Sequence, residues 1–342
     1  MRAVLFSGPD DLQVVDAPEP ELPAGGLIVS TAYVGVCGSD VRTWHHGSPR
    51  LSGPTVLGHE VVGVVTASDD ERWTVGDRVA VCPGAPCLKC QHCLLGAYNL
   101  CADRVVLGYD VPGGMAERFA VPARSIDAGC VVPVPDSLEL RAAVLAEPLH
   151  TVLNGQDRAT IGPDDSVLVL GLGTIGTLHT AVALSRGARR VLGVDVRAER
   201  VQAAEKVLGE GHTSVLEDDV DALRSLGGRT GWDVVVVAAG VGPAVETASA
   251  MVAPNGRVLV FAGFPSSRPE YPIDLNRLHY KQHSLVGAFG GTPVTYARAV
   301  EWLAATSIDL EAFVGDVFAL DEAPSAFANV ESGRGLKTVM QP

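Results

Sequence analysis

Four cysteines, Cys87, Cys90, Cys93 and Cys101, fall within one 15-residue stretch at the spacing C-x2-C-x2-C-x7-C. Thiolates gathered this closely are the donor set of a tetrahedral zinc with bonds of about 2.3 Å. Because protein fills all four positions, such an ion has no open site and is structural. The competing readings are disulfides, which a reducing compartment disfavours, and an iron–sulfur cluster, whose known spacings fit poorly. A second donor set is scattered: Cys37 in Cys37-Gly38-Ser39-Asp40, His59 and Glu60 in Gly58-His59-Glu60, and Glu147 in Glu147-Pro148-Leu149. One thiolate, one imidazole and one or two carboxylates hold zinc while leaving a place for water or substrate, which is the coordination of a catalytic metal. Singly, such residues are more often core or helix-start positions, so only their convergence carries weight.

A third signal is Gly171-Leu172-Gly173-Thr174-Ile175-Gly176, which follows an apolar run and opens a helical pattern. That context makes G-x-G-x-x-G a dinucleotide fingerprint. The first glycine allows the tight turn, the second the approach of a pyrophosphate, the third close helix–strand packing, and the helix N-terminus attracts the phosphates. Asp195 lies 19 positions after Gly176, at the end of the next apolar run. A carboxylate there accepts from both ribose hydroxyls and repels a 2′-phosphate, which favours NAD over NADP. Arg197 and Arg200 stand close enough to soften that preference.

The elements that must hold these groups are legible in outline. Short Val-rich runs punctuated by Gly and Pro (Ala3–Phe6, Leu12–Val15, Leu27–Tyr33, Glu60–Val65, Arg78–Val81) predict a small antiparallel barrel or sandwich. Helical spacing begins at Leu140–Leu153. Beyond Gly162-Pro163 the strands Ser166–Leu170, Arg190–Val194, Asp233–Ala238 and Arg257–Ala262 are nearly continuous in apolar residues, as strands covered on both faces must be. They alternate with helices such as Thr174–Ser185, with Ile175, Leu178, Val182 and Ser185 on one face, so the fold class is α/β with a doubly wound parallel sheet. A helix over Val294–Ala305 leads away from that sheet, and Gly335–Met340 reads as a strand returning to the first domain. The expected division is residues 1–150, completed by 291–342, around a nucleotide-binding domain of 151–290.

Composition bounds the function. At about 150 residues per domain, 342 residues make two domains, and 47% apolar with 19% charged residues describes a globular protein. The net charge of −14 excludes nucleic acid and anionic membrane as natural partners. The uncharged run Ser166–Ser185 is long enough to span a bilayer, but its three glycines and its change of period read as strand, turn and helix. Met1–Phe6 is followed at once by Gly8-Pro9-Asp10-Asp11, too short for a signal peptide. The expected location is the cytoplasm.

In this order, MRAVLF, VGVCGSD, GPTVLGHEVVGVV, VGDRVAV, CLKCQHCLLGAYNLC, AEPL, VLVLGLGTIG and GVDVRAER make the chain resemble the zinc-dependent medium-chain alcohol dehydrogenases over nearly its whole length, most closely their sorbitol and polyol branch. The resemblance implies a GroES-like catalytic domain built from both chain ends, an inserted Rossmann domain, a site in the cleft, and a homodimer or homotetramer. By the same resemblance Cys37 and His59 are catalytic-zinc ligands, and Glu60 and Glu147 ligate directly or through its water. Asp40 orients the imidazole and Ser39 takes the substrate proton. Ile175, Asp195 and Arg200 match coenzyme contacts, and Lys337 a basic residue that reaches the pyrophosphate.

The chain departs from the family at Arg42, where a proton-passing histidine is common. Arginine stays protonated at neutral pH, so His45 or His46 substitutes, or the proton leaves through water. The implied reaction is reversible oxidation of a secondary alcohol. Few aromatic residues (4 Trp, 6 Tyr, 8 Phe) and a carboxylate-rich metal site suit a polyol, sugar alcohol, cyclitol or amino-cyclitol. L-threonine is the alternative, with Arg42 as carboxylate anchor. A catalytically silent NAD-binding protein is the rival of another class. A zinc-ribbon nucleic-acid module founders on the charge. Cys82 and Cys130 belong to neither metal pattern.

Overall fold

Alternating Val-rich segments in the first third pair into two sheets. The smaller orders Asp11–Asp16, Arg2–Gly8 and Thr55–Val56, all antiparallel. The larger runs Val131–Pro133, Arg78–Val81, Glu60–Ser68, Leu27–Val36, Lys337–Gln341, Val314–Ala319, with Arg118–Val121 also on Leu27–Val36. Among the described residues its one parallel pair is Val314–Ala319 with Lys337–Gln341. Between the sheets lies a core that includes Val4, Leu27, Val34, Val61, Val79, Met115 and Phe119, with Phe327 and Met340 supplied by the last residues of the chain. The computed structural model describes residues 1–215, 219–228, 230–264 and 270–342. The chain folds as two compact units, Met1–His150 with Gly291–Pro342, and Thr151–Gly290.

In the second unit the described strands run parallel, in the order Thr213–Val215, Arg190–Asp195, Ser166–Leu170, Trp232–Val237, Val252–Val260, Ser284–Gly287. Numbered along the chain this is 3-2-1-4-5-6, whose direction reverses beside Ser166–Leu170, and ligands of such sheets bind at the carboxyl end of that strand. All five residues of Ser166–Leu170 are buried, so the uncharged run that follows is strand, turn and helix. Among the described residues no helix is long and apolar enough to cross a membrane.

Several local expectations need correction. Leu140–Leu153 is two helices, Leu140–Ala143 and Ala146–Arg158. Pro148 falls in the first turn of the second, where a missing N–H costs nothing. Thr174–Ser185 is buried continuously from Gly176 to Ala183 instead of along one stripe, because its small residues (Gly176, Ala181, Ala183) let the helix sink between neighbours. Asp233–Ala238 is Trp232–Val237, and Arg257–Ala262 begins earlier, at Val252. Thr213–Val215 and Ser284–Gly287 were not anticipated: they are short, largely exposed edge strands without an apolar run to mark them.

Candidate metal centre and nucleotide site

Cys37 ends the strand Leu27–Val36 and stands at the N-cap of Gly38–His46. Its backbone N–H donates to Asp40 Oδ2 at 2.9 Å, so the first turn of the helix fixes the thiol. Asp40 Oδ1 lies 3.1 Å from His59 Nδ1, and the carboxylate is fully buried. With Nδ1 turned to Asp40, Nε2 is the ring atom that faces Ser39 Oγ, at 3.4 Å. A buried carboxylate behind an imidazole is the arrangement that fixes the ring of a metal-binding histidine. Burial disfavours charge on His59, but Asp40 and the Cys37 thiol outweigh it and hold its pKa well above the ordinary value. Gly58 makes the turn into His59: its φ is +97°, and a Cβ there would stand 2.8 Å from Met115 N.

Donor atoms of Cys37, His59 and Glu60 lie within 4.8 Å of one another. Sulfur, imidazole nitrogen and carboxylate oxygen are the donors zinc accepts, and the set is asymmetric enough to leave a position for a ligand. Glu147 is not among the converging donors. It sits half-buried in the first turn of Ala146–Arg158, close enough that its charge acts on Glu60. Both carboxyl groups have raised pKa values, chiefly through burial.

Lys337 has partners within the first unit that the resemblance did not name. Its ammonium is buried inside the first unit, ion-paired with Glu60 Oε2 and donating to Val36 O at 3.1 Å. Gly35 makes room for the pair, since a Cβ there would meet both Glu60 Oε2 and Lys337 Cε. Burial lowers the pKa of the lysine, but Glu60 outweighs it and the net shift is upward. Sequence spacing gave no sign of this pairing. Arg42 is exposed. His45 is engaged on both ring nitrogens, by Asp10 at 2.7 Å and Glu331 at 3.3 Å, while His46 is exposed.

In the cysteine loop, Cys90 Sγ is 3.5 Å and Cys87 Sγ 3.9 Å from Cys93 Sγ, and all four thiols fall within 4.8 Å. A tetrahedron with bonds of about 2.3 Å has edges of about 3.8 Å, so the spacing fits a zinc ion. Every cysteine is free, which excludes the disulfide reading for this structure. Backbone N–H groups of Lys89 and Cys90 bring the Cys87 thiol down to about 6. Burial and the neighbouring thiols push Cys93 up to about 12. Thiols this close do not ionise together without a cation between them.

At the nucleotide site Gly171 has φ +101°, Gly176 packs where a Cβ would collide with the Gly171 carbonyl, and the space a Gly173 side chain would fill is open. The three glycines thus serve the turn, the helix contact and the open approach. Thr174 and Ile175 begin the helix Thr174–Ser185. Asp195 is buried; it accepts from Leu172 N at 2.8 Å and Arg197 N at 2.9 Å, and Arg200 lies 3.5 Å away. Its carboxylate therefore anchors the glycine loop as well. An ionised carboxylate has about four acceptor sites, which leaves capacity for a ribose.

The alcohol dehydrogenase GroES-like domain matches residues 23–136, and the zinc-binding dehydrogenase family matches residues 174–305. D-xylulose reductase A of Aspergillus oryzae is 30% identical, the alignment covering 98% of this chain and 95% of that one. The "Probable D-xylulose reductase A" of Aspergillus fumigatus is 33% identical with the same coverage. The chain belongs to the zinc-dependent medium-chain alcohol dehydrogenase family, in its polyol branch. Among solved structures, alcohol dehydrogenase TADH from Thermus sp. ATN1 superposes with a TM-score of 0.89 at 28% identity, covering 100% of this chain and 99% of that one. A protein assigned as a zinc-binding dehydrogenase from Sinorhizobium meliloti 1021, bound to NADP, gives 0.91 at 27% with the same coverage. This dehydrogenase is an oxidoreductase acting on CH–OH donors, and its cofactors are zinc and a nicotinamide dinucleotide.

Proposed function

We propose that the enzyme reversibly oxidises a secondary hydroxyl of a polyol, sugar alcohol, cyclitol or amino-cyclitol to the ketone, with NAD as hydride acceptor. The convergence of Cys37, His59 and Glu60 within 4.8 Å, with Ser39 Oγ 3.4 Å from His59 Nε2, carries this reading. Cys37, His59 and one of the two glutamates, Glu60 or Glu147, would hold the catalytic zinc; Cys87, Cys90, Cys93 and Cys101 would hold the structural one. When bound, the catalytic zinc lowers a hydroxyl pKa from about 16 toward neutrality, and the dinucleotide supplies the hydride acceptor.

The protein's own part is positioning and proton transfer. With Nε2 given to the metal, Asp40 would hold the remaining ring proton of His59 on Nδ1. Ser39 Oγ, beside that nitrogen, accepts the hydroxyl proton of the substrate and passes it outward. With Arg42 unable to accept it and His45 lying between Asp10 and Glu331, exposed His46 or water takes it onward. Gly171, Gly173, Thr174, Ile175 and Gly176 receive the pyrophosphate, and Asp195, steadied by Arg200, takes the ribose hydroxyls. D-xylulose reductase relatives support a sugar-alcohol substrate. Ser284–Gly287 ends its sheet with Leu285 exposed, and an uncovered edge strand of this kind supports a homo-oligomer. Cysteines grouped as metal donors support a cytoplasmic location.

The test is NADH release by the holoenzyme with polyols, cyclitols, amino-cyclitols and L-threonine, repeated with NADP. Turnover of polyols or cyclitols with NAD is expected. Activity on threonine alone would remove the polyol reading, and preference for NADP would remove the role given to Asp195.

A further inference from the structure

Tyr109 belongs to no motif, yet the fold brings it to the metal centre. It lies in a turn in which Val106 O accepts from Tyr109 N at 3.2 Å and Asp110 N at 2.8 Å, while Asp110 Oδ2 takes Val106 N–H at 2.8 Å. Arg50 pairs with the same Asp110 oxygen and pins the turn. Gly108 has φ +80°, and a Cβ on it would stand 3.1 Å from Gly58 O, so the turn rests directly on the residue before His59. The Tyr109 ring is thereby set 5.8 Å from the His59 imidazole, tilted by 48°, and its hydroxyl interacts with Ser39 and Thr43. Thr43 is buried while Tyr109 is half-buried, so the Tyr109 side chain keeps part of its surface accessible. The phenol hydroxyl can both donate and accept.

We propose that Tyr109 is a specificity-determining residue whose hydroxyl bonds the substrate hydroxyl next to the one being oxidised. The inference rests on the polyol reading and adds to it the group that recognises a vicinal diol. Ser39 Oγ marks where the reacting oxygen lies, since it faces His59 Nε2 at 3.4 Å. In a vicinal diol the second oxygen sits about one hydrogen-bond length from the first. A side-chain hydroxyl that already reaches Ser39 is therefore within reach of that second oxygen. A substrate lacking it leaves the phenol without the partner the site provides, and such sites discriminate strongly between analogues.

The experiment compares the zinc-loaded wild type with Tyr109→Phe, which keeps the ring on His59, using butane-2,3-diol and butan-2-ol. The two differ by one vicinal hydroxyl. In the variant kcat/KM for the diol is expected to fall roughly 10- to 100-fold, mostly through KM, with butan-2-ol, as substrate or as competitive inhibitor, changed less than about twofold. Equal loss with both compounds, loss of all activity, or no loss with either would overturn the proposal, because the hydroxyl would then serve the site generally or not at all. Failure of the underlying reading looks different: a wild-type enzyme that handles butan-2-ol better than any diol or polyol refutes the polyol assignment whatever the variant does.

Discussion

Replacing Lys337 with methionine removes one member of a buried ion pair and keeps most of the side-chain volume. Lys337 is 5% exposed and Glu60 1%, so water compensates neither. Removing one partner of such a pair leaves a stranded charge, at a cost of about 3–5 kcal/mol. With about 200 residues in the first unit, each kcal/mol corresponds to about 2–4 °C in Tm, so its transition should fall by about 6–20 °C. The deficit also has a pH signature. Burial raises the Glu60 pKa and Lys337 holds it down, so the variant moves it further above its unfolded value. An acid with a raised folded pKa destabilises the fold as pH rises through the window between the two values, so the loss should be larger at pH 8 than at pH 5. Calorimetry of wild type, Lys337→Met, Glu60→Gln and the double variant, each with the catalytic metal site empty, reads all of this. The double variant should regain at least half of the loss. A Lys337→Met protein within about 1 kcal/mol of wild type, or a double variant no more stable than the single one, would refute the reasoning. So would weaker NAD binding at unchanged stability, which would return Lys337 to the pyrophosphate.

Cys37→Ser is expected to abolish turnover and remove one of two zincs by metal analysis while leaving the fold and NAD binding. Cys93→Ser should lower stability by more than about 3 kcal/mol; equal unfolding by both would contradict separate metal roles. His179 is fully buried in the second unit against Phe261, at a ring distance of 4.6 Å, with Gln156 donating to its backbone carbonyl at 2.8 Å. Burial, aided by Arg186, lowers its pKa from 6.5 to about 3. The unfolded chain thus binds the extra proton between those values and stability falls with acid, by about 1.4 kcal/mol per pH unit, or about 2 kcal/mol between pH 6.5 and 5. Urea unfolding of His179→Leu should show that slope removed; an unchanged slope would place the acid sensitivity elsewhere.

What the sequence determined by itself was whatever a short segment encodes alone. The glycine loop declares itself because each glycine answers a steric demand made by residues within the same turn, and the four thiols because their loop brings them together without help from the rest of the fold. The strand periods show which stretches are half-buried and which are covered on both faces, hence the α/β class. The motif order also carried the family. Only the tertiary structure decided where long-range partners meet. Lys337 and Val36, 301 positions apart, become neighbours because the last strand pairs with Leu27–Val36, and that pairing sends the lysine to Glu60. Tyr109 reaches His59 only because two glycines let their backbones touch. Asp195 holds the glycine loop through Leu172 N–H, a contact that its offset from Gly176 does not express. In each case the deciding interaction joins segments whose separation along the chain says nothing about their separation in space, so spacing rules have nothing to act on.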